Sequence, residues 1–98
     1  MGNWNHNYYI YLLSNKYNSV IYTGMTNNIQ RRIIQHKSLQ IAGFTSRYRV
    51  TKLVYFEHFR LVEDAIQREK QLKAGSRDQK IALIESVNPN WKDLFDVY

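Results

Sequence analysis

The sequence predicts an α+β domain in which helices flank a short three-stranded antiparallel sheet, with the element order ββαβαα. Three observations predict it: two runs of strand-forming residues joined by a polar turn, a third such run near mid-chain, and three segments with helical start or stop signals. The chain has 98 residues, and folding at this size buries only ~60–65% of the unfolded surface, which supports one core. We therefore expect a single domain over residues 1–98, with the core at about 7–87 and a tail at 88–98.

Two of the strands are predicted to form a hairpin. Residues 8–13 are rich in strand formers and end at a polar turn, and residues 20–23 have the same character and are closed by Gly24. Because about six residues separate the two runs, we expect them to pair antiparallel. Residues 53–56 are predicted to form the third strand.

The helices are predicted from their end signals. Three candidate N-caps precede a helix from residue 29 to about residue 37, namely Thr26, Asn27 and Asn28. Residues 38–50 show no clear period and are expected to form a loop. A second helix is predicted over about 61–74, ended by Gly75 at the C′ position. A capping box over residues 76–79 predicts a third helix from residue 80 to about 87.

The charge of the chain is unevenly distributed. Residues 1–56 carry seven basic side chains and no acidic one, whereas residues 57–98 carry seven basic and eight acidic ones, for a net charge of +6. An acid-free stretch of this length predicts a surface for a polyanion, above all nucleic acid, with a merely basic composition as the alternative.

Several function classes are excluded or disfavoured by composition. The chain has no cysteine, which excludes disulfides, zinc knuckles and thiol catalysis. Its longest apolar run, residues 8–13, is far shorter than the ~20 residues that a membrane span needs. The first six residues lack the features of a signal peptide, so we expect a cytoplasmic protein without a membrane partner.

Glu69 interrupts the pattern of the second predicted helix. On a helical wheel it falls in the middle of an apolar stripe, which consists of Val62, Ala65, Ile66 and Leu72. A carboxylate on such a face is costly to desolvate unless a cation meets it. A divalent metal ion would meet it, and so would a structural partner such as Lys73 one turn later. Both interpretations stay open at this point.

The first predicted helix and the strands add four further candidates. Arg32 and His36 lie one turn apart at the edge of the apolar stripe, while Arg31 points to solvent. They would line a cleft beside the core, or else be an ordinary snorkelling arginine and a half-buried histidine. Tyr11 and Tyr22 each lie on one face of a strand, as core aromatics or as groups for proton transfer.

Two three-residue motifs stand eleven positions apart, measured from the last residue of the first to the first residue of the second: Tyr9-Ile10-Tyr11 and Tyr22-Thr23-Gly24. With Arg32, His36 and Glu69 downstream, they resemble the ordered motif set of the GIY-YIG endonuclease superfamily. Tyr9 replaces the glycine of the first motif, and Thr23 replaces the isoleucine of the second. Residues 27–32, 65–73 and 88–94 are similar to its small stand-alone bacterial branch, the UPF0213-like proteins, so the resemblance covers about residues 7–96.

The resemblance implies a metal-dependent endonuclease that hydrolyses DNA phosphodiester bonds with little sequence specificity. A structure-selective role in DNA repair or recombination is a further expectation. Glu69 would bind Mg²⁺, for which Mn²⁺ would substitute, and a single carboxylate with waters suits that ion. Tyr11 would activate the attacking water and Tyr22 would orient it, or the reverse. Arg32 would stabilise charge on the phosphate, and His36 would hold or relay a proton.

The resemblance and the charge also suggest DNA contacts. Residues 44–49 mix cations with aromatics, which suits phosphate contact and base stacking, although a basic surface loop is the alternative. The expected DNA-binding residues are Lys37, Arg47, Tyr48, Arg49 and Lys73. Asn88, or else Asn90, would lie near the catalytic centre and support the residues that form it. A weakly catalytic or non-catalytic nucleic-acid-binding module of the same fold is the competing function. The sequence indicates no obligate protein partner and leaves the oligomeric state open.

Overall fold

The computed structural model describes residues 6–41 and 43–97, so the ends of the predicted domain, residues 1–5 and 98, lie outside it, as does residue 42. Three strands are present: β1 (Tyr8–Ser14), β2 (Ile21–Thr26) and β3 (Lys52–Phe59). The helices are α1 (Ile29–Lys37), α2 (Phe44–Arg47), α3 (Val62–Ala74) and α4 (Arg77–Val87), followed by a 3₁₀ turn over Leu94–Val97. The α+β class and the order ββαβαα are therefore confirmed, with α2 and the 3₁₀ turn as short additions.

The sheet is antiparallel, with β1 in the centre and the strand order β2-β1-β3. Side chains alternate along β1, so Ile10 and Leu12 lie in one core cluster, with Leu72 of α3 and Ile84 of α4. The other face of β1 carries Tyr11 and Leu13, which pack in a second cluster with Ile33 of α1. The candidate site lies on this second face.

Strand β2 corrects the predicted end of the hairpin. Gly24 does not close the strand, because β2 continues through it to Thr26. The register pairs Gly24 with Tyr11 and Tyr22 with Leu13, which places both tyrosines on the same face of the sheet. A glycine inside a strand usually marks a close approach by another group. Here that group is the ring of Tyr11.

The helix ends agree with the sequence except at Gly75 and at the start of α4. Asn28 caps α1, since its side chain accepts a hydrogen bond from the Arg31 amide at 3.0 Å. The Ser76–Gln79 capping box is present, and α4 begins at Arg77 rather than at residue 80. Gly75 is the C-cap of α3 in an extended conformation (φ −75°, ψ 162°), not a left-handed C′ residue. The next helix starts two residues later, so the chain turns through extended backbone instead of a left-handed cap.

A polar network ties α3 to the sheet and so fixes where Glu69 lies. The Arg68 guanidinium binds both carboxylate oxygens of Glu57 on β3, at 3.0 and 2.9 Å, and the Tyr55 hydroxyl also donates to Glu57. Burial raises the pKa of Glu57, but the hydrogen bonds from Arg68 and Tyr55 and the charge of Arg68 outweigh it and leave that pKa below its usual value. A bidentate pair of this kind restricts the rotation of α3 about its axis.

Among the helices in the described ranges, none combines the length and the apolar character that crossing a bilayer requires.

Candidate active site

Tyr11 is the buried centre of the site. Its ring lies directly over Gly24 on the neighbouring strand: a Cβ at position 24 would stand 2.4 Å from both Cζ and Oη of Tyr11. The tyrosine side chain is fully buried. The missing side chain at Gly24 therefore provides the space in which Tyr11 lies.

A chain of hydrogen-bonding groups runs from Tyr11 through His36 to Thr45. The hydroxyl oxygen of Tyr11 is 3.2 Å from Nε2 of His36, and Nδ1 of the same ring is 3.2 Å from Oγ1 of Thr45. All three side chains are buried. Strand β1 supplies the tyrosine, α1 the histidine and the short helix α2 the threonine, so three elements meet in this chain.

The pKa values of the site are shifted by burial and by a nearby cation. Burial, together with the charge of Arg32, lowers the pKa of His36 from 6.5 to about 4, so the imidazole is neutral at pH 7. Burial raises the pKa of Tyr11 to about 12, with further rises from Tyr22 and Glu69. Arg32 opposes this rise through its charge and through hydrogen bonding to the Tyr11 side chain. At pH 7, therefore, a neutral His36 imidazole lies beside the protonated hydroxyl of Tyr11.

Three of the five predicted catalytic residues lie together here, namely Tyr11, Tyr22 and His36, and the other two, Arg32 and Glu69, act on Tyr11 through their charges. The ring of Tyr22 is 6.4 Å from that of Tyr11 and 5.8 Å from that of His36 between centroids. Arg32 is half-buried and its charge lowers the pKa of both Tyr11 and His36. Glu69, on α3, raises the pKa of Tyr11 by its negative charge.

The environment of Glu69 differs from the wheel in one respect. Ile66 is 37% exposed, so the buried stripe of α3 is narrower than predicted and consists of Ala65 and Leu72. Glu69 lies at the edge of that stripe, with its side chain 21% exposed and Oε2 3.3 Å from the ammonium nitrogen of Lys73. A helical wheel shows which apolar residues share a face of the helix. Which of them are buried depends on how much of that face the sheet covers.

An aromatic group lies at the outer rim of the site. Phe44 stacks on Tyr22 with centroids 6.3 Å apart, and Tyr48 packs against Phe44 at 4.8 Å. The two outer rings are 49% and 45% exposed, respectively. The Arg47 guanidinium lies over the ring of Tyr48, 5.6 Å from its centroid. We call Phe44, Arg47 and Tyr48 the aromatic platform.

The remaining predicted DNA-binding residues differ in how readily they could contact a phosphate. Arg49 is exposed and has a left-handed backbone conformation (φ 52°). Lys73 is largely exposed but pairs with Glu69. The ammonium group of Lys37 forms an ion pair with Asp93, and it also lies 5.7 Å from the centroid of the Phe95 ring. A phosphate would have to displace Asp93 to reach Lys37.

Asn88 has a structural role in the turn after α4. Its Nδ2 donates to the carbonyl oxygens of Val54 and Lys92 at 3.0 and 2.9 Å, and its Oδ1 accepts from the Lys92 amide at 3.0 Å. The side chain is buried, with both its donor and its acceptor groups used within the turn. Asn88 therefore holds the C-terminal turn against β3, and its assistance to the site stays a prediction. Asn90 is exposed.

The donor set suits one type of metal ion. No group of three or more histidine, cysteine, aspartate or glutamate side chains with metal-binding geometry occurs within residues 6–41 and 43–97. A hydrated Mg²⁺ ion needs only one or two carboxylates, and Glu69 offers one beside an exposed lysine that is free to turn to solvent. The residues fit such an ion.

Two residues of this cluster were not predicted to belong to it. The sequence places Gly24 in the second motif and at a strand end, although a glycine inside a run of strand formers often signals a close approach. Thr45 lies in a segment without any period, and no local pattern connects it with His36. Only the folded chain brings the two together.

Comparison with known proteins gives three kinds of match: a family model, relatives in other organisms and a solved structure. The family model of the GIY-YIG catalytic domain matches residues 7–82. A UPF0213 protein of Staphylococcus haemolyticus is 40% identical over 78 residues, covering 80% of this chain and 94% of the relative, and one of Clostridium perfringens is 42% identical, covering 80% and 83%. The solution NMR structure of a UPF0213 protein from Bacillus halodurans matches with a TM-score of 0.57 and 32% identity, over 89% of this chain and 92% of the other.

Proposed function

Because the chain belongs to the GIY-YIG catalytic-domain family, among the UPF0213 proteins, we propose that it is a metal-dependent endonuclease that hydrolyses DNA phosphodiester bonds. One observation supports this most directly: the Tyr11 hydroxyl lies 3.2 Å from Nε2 of a neutral histidine, beside the charge of Arg32. That arrangement joins a proton donor, a proton acceptor and an anion-binding group in one place.

The base in this proposal is Tyr11, acting with His36. The tyrosine oxygen takes a proton from the attacking water, while its own proton passes to Nε2 of His36. The water oxygen bonds to phosphorus, the ester P–O bond breaks, and solvent protonates the leaving oxygen. Tyr22, half-buried beside both residues, orients the water. Tyr11 is preferred over Tyr22 as the base because its hydroxyl has the histidine nitrogen as acceptor.

Arg32 has two partners in this reaction. In the free protein its guanidinium acts on the buried Tyr11 oxygen. A phosphate is the stronger partner for a guanidinium, so substrate binding would draw Arg32 onto the scissile group and uncover the tyrosine. The same movement supplies positive charge where negative charge develops in the transition state.

Glu69 would hold the divalent ion, with water completing its coordination. A bound Mg²⁺ or Mn²⁺ ion supplies Lewis acidity that neutralises charge on the phosphate and its leaving oxygen. The chain itself supplies one carboxylate, which lies at the edge of the buried stripe of α3. The Arg68–Glu57 pair holds helix α3, and with it Glu69, against the sheet. Lys73 neutralises that carboxylate until the ion binds.

The aromatic platform points to the class of DNA that the site takes. Exposed rings beside cations suit unstacked bases and phosphates, and nothing in them reads base edges. We therefore propose little sequence preference and a bias toward flexible, branched or single-stranded DNA. If about four phosphates are contacted, log K should fall against log salt with a slope of about −3 to −4. A role in repair or recombination would follow from a preference for branched DNA.

The test is a nicking assay with added Mg²⁺ on supercoiled plasmid, a branched junction and single-stranded DNA, with Tyr11→Phe as the control variant. Wild-type protein should cut all three with no common sequence at the cut sites, and Tyr11→Phe should reduce the rate by about 10²–10⁴-fold. The competing function, a binding module of the same fold, has one observation in its favour, the complete burial of Tyr11. DNA binding without metal-dependent cutting would establish it instead.

A further inference from the structure

The His36 ring contacts Tyr11 through one nitrogen and Thr45 through the other. Among the described residues, Thr45 is the only hydrogen-bonding partner shown for Nδ1. Its Oγ1 lies 3.2 Å from Nδ1, and the residue is only 3% exposed. We propose that Thr45 is a positioning residue that holds His36 in the tautomer with hydrogen on Nδ1, so that Nε2 faces Tyr11 as a proton acceptor. The consequence for catalysis rests on the proposed function, whereas the tautomer can be measured without DNA.

Two hydrogen-bond arrangements are compatible with the distances. In the first, Tyr11 donates to Nε2 and the Nδ1–H group donates to Thr45. In the second, Thr45 donates to Nδ1 and the Nε2–H group donates to Tyr11. A neutral imidazole has one donor and one acceptor nitrogen, so the ring adopts one arrangement or the other.

Arg32 favours the first arrangement. The charge of Arg32 acts on both Tyr11 and His36, and a guanidinium has only donors, so the tyrosine oxygen can meet it only as an acceptor. In the second arrangement Nε2–H would be another donor aimed at that oxygen, and the tyrosine hydrogen would lose the histidine as its acceptor. In the first arrangement the tyrosine hydrogen bonds to Nε2. The threonine hydroxyl rotates to accept from Nδ1–H.

The backbone fixes the position of the threonine. Helix α2 holds Thr45 in its second position, after Gly43 with a φ of 101° that favours glycine. The carbonyl oxygen of Thr45 accepts from the amide of Val50 at 2.9 Å, and Val50 is fully buried in the cluster that contains Tyr11. The hydroxyl is therefore presented to His36 by a closed turn rather than by a free loop.

The first arrangement is the one in which His36 accepts a proton. When the Tyr11 O–H bond breaks, the Nε2–H bond forms, and the Nδ1–H group keeps its bond to Thr45. In the second arrangement Nε2 already carries hydrogen, and the tyrosine proton has no place on the ring. The threonine thus stabilises the ring form that accepts the tyrosine proton, without touching the substrate.

The experiment is a long-range ¹H–¹⁵N correlation spectrum of the uniformly ¹⁵N-labelled protein at pH 7, with the His36 signals identified by their absence in His36→Gln. The wild-type spectrum should show a protonated Nδ1 and an unprotonated Nε2. Thr45→Ser should keep this pattern, while Thr45→Val should give a mixture or the opposite tautomer. Ser46→Ala, which removes the neighbouring hydroxyl of α2, is the matched control and should leave the pattern unchanged.

Cleavage rates complete the test. Thr45→Val should lower kcat by about 10–100-fold with little change in KM, the scale for losing the orienting partner of an imidazole, and Thr45→Ser should restore it. A wild-type ring with hydrogen on Nε2 would overturn the proposal even if Thr45→Val failed to fold. An unchanged tautomer in a folded Thr45→Val protein would overturn it as well. If the tautomer is as expected and no DNA is cut, the proposed function fails while the assignment of Thr45 stands.

Discussion

Replacing Gly24 with alanine tests the geometry around Tyr11 with a single methyl group. The added Cβ would lie 2.4 Å from Cζ and Oη of Tyr11 and 2.8 Å from Cε1. Carbon contacts are favourable from about 3.5 Å, so the ring must move by about 1 Å or the two strands must part. A movement of 1 Å would carry the tyrosine oxygen, now 3.2 Å from His36 Nε2, beyond hydrogen-bond distance.

The expected magnitude has a stability part and a rate part. Overpacking a core costs about 1–3 kcal/mol, and removing a glycine from a strand returns about 0.5–1 kcal/mol, so the net loss is about 1–2 kcal/mol. For a domain of this size that lowers Tm by about 5–15 °C. A 1 Å displacement of a catalytic group costs about 10²-fold in rate, well above what partial unfolding at 25 °C would cause.

The assay is single-turnover nicking of supercoiled plasmid at saturating protein, with thermal denaturation of the same samples. Gly75→Ala is the matched control, because its Cβ would meet the far end of the Gln79 side chain at 2.8 Å and otherwise only carbonyl oxygens at ordinary contact distances of 3.4 and 3.6 Å. It should loosen the capping box and leave the rate unchanged. In a Tyr11→Phe background, Gly24→Ala should lower the rate little further, since both changes remove the same interaction. A Gly24→Ala protein with wild-type rate and Tm would refute the reasoning.

Three other predictions follow from the site and its rim. Arg32→Ala should reduce the single-turnover rate at saturating DNA by at least ~10²-fold, while Arg31→Ala on the exposed side of α1 should weaken binding only; equal rate losses would contradict the placement. Because burial and Arg32 lower the pKa of His36 to about 4, the unfolded chain takes up the proton first as the pH falls. The contribution of His36 to stability is therefore complete above pH 6.5 and is lost toward pH 4. Over this range the urea midpoint of wild type should fall more than that of His36→Gln. Parallel curves for the two proteins would exclude a buried, neutral His36. Alanine at Phe44 or Tyr48 should weaken single-stranded DNA binding by about 1–3 kcal/mol per stacked base and duplex binding less, and equal losses measured by fluorescence anisotropy would rule out stacking.

The fold was predictable where short-range signals decide it. The polar turn before Val20, the N-cap Asn28 and the capping box at Ser76 are local features, and each element they predict is present. The end of β2 was not predictable in the same way. From its neighbours in sequence, Gly24 is expected to end a strand. In the fold it leaves space for the Tyr11 ring, and this role becomes visible only once the pairing of β1 with β2 is known.

The candidate residues could be named from the sequence, but their contacts could not. Tyr11 follows from the motif resemblance and Arg32 and His36 from helical phase, and their roles in the site stay predictions. Thr45 belongs to a four-residue helix that is too short to leave a period in the sequence. The structural role of Asn88 is not visible in the sequence, because its hydrogen-bond partner Val54 becomes a neighbour only in the folded chain.

The central claim is that Glu69 holds a catalytic divalent ion rather than a structural salt bridge. Its partner Lys73 is largely exposed, and ion pairs of that kind contribute only about 0–1 kcal/mol, so Glu69→Gln should leave Tm within a few degrees of wild type. The decisive measurement is plasmid nicking by wild type and Glu69→Gln, each with EDTA, Mg²⁺ or Mn²⁺, with DNA binding and Tm recorded on the same preparations. Wild-type protein should cut with either ion and not with EDTA, and a folded, DNA-binding Glu69→Gln protein should not cut at all. Equal cutting by Glu69→Gln and wild type, or undiminished cutting in EDTA, would contradict this claim.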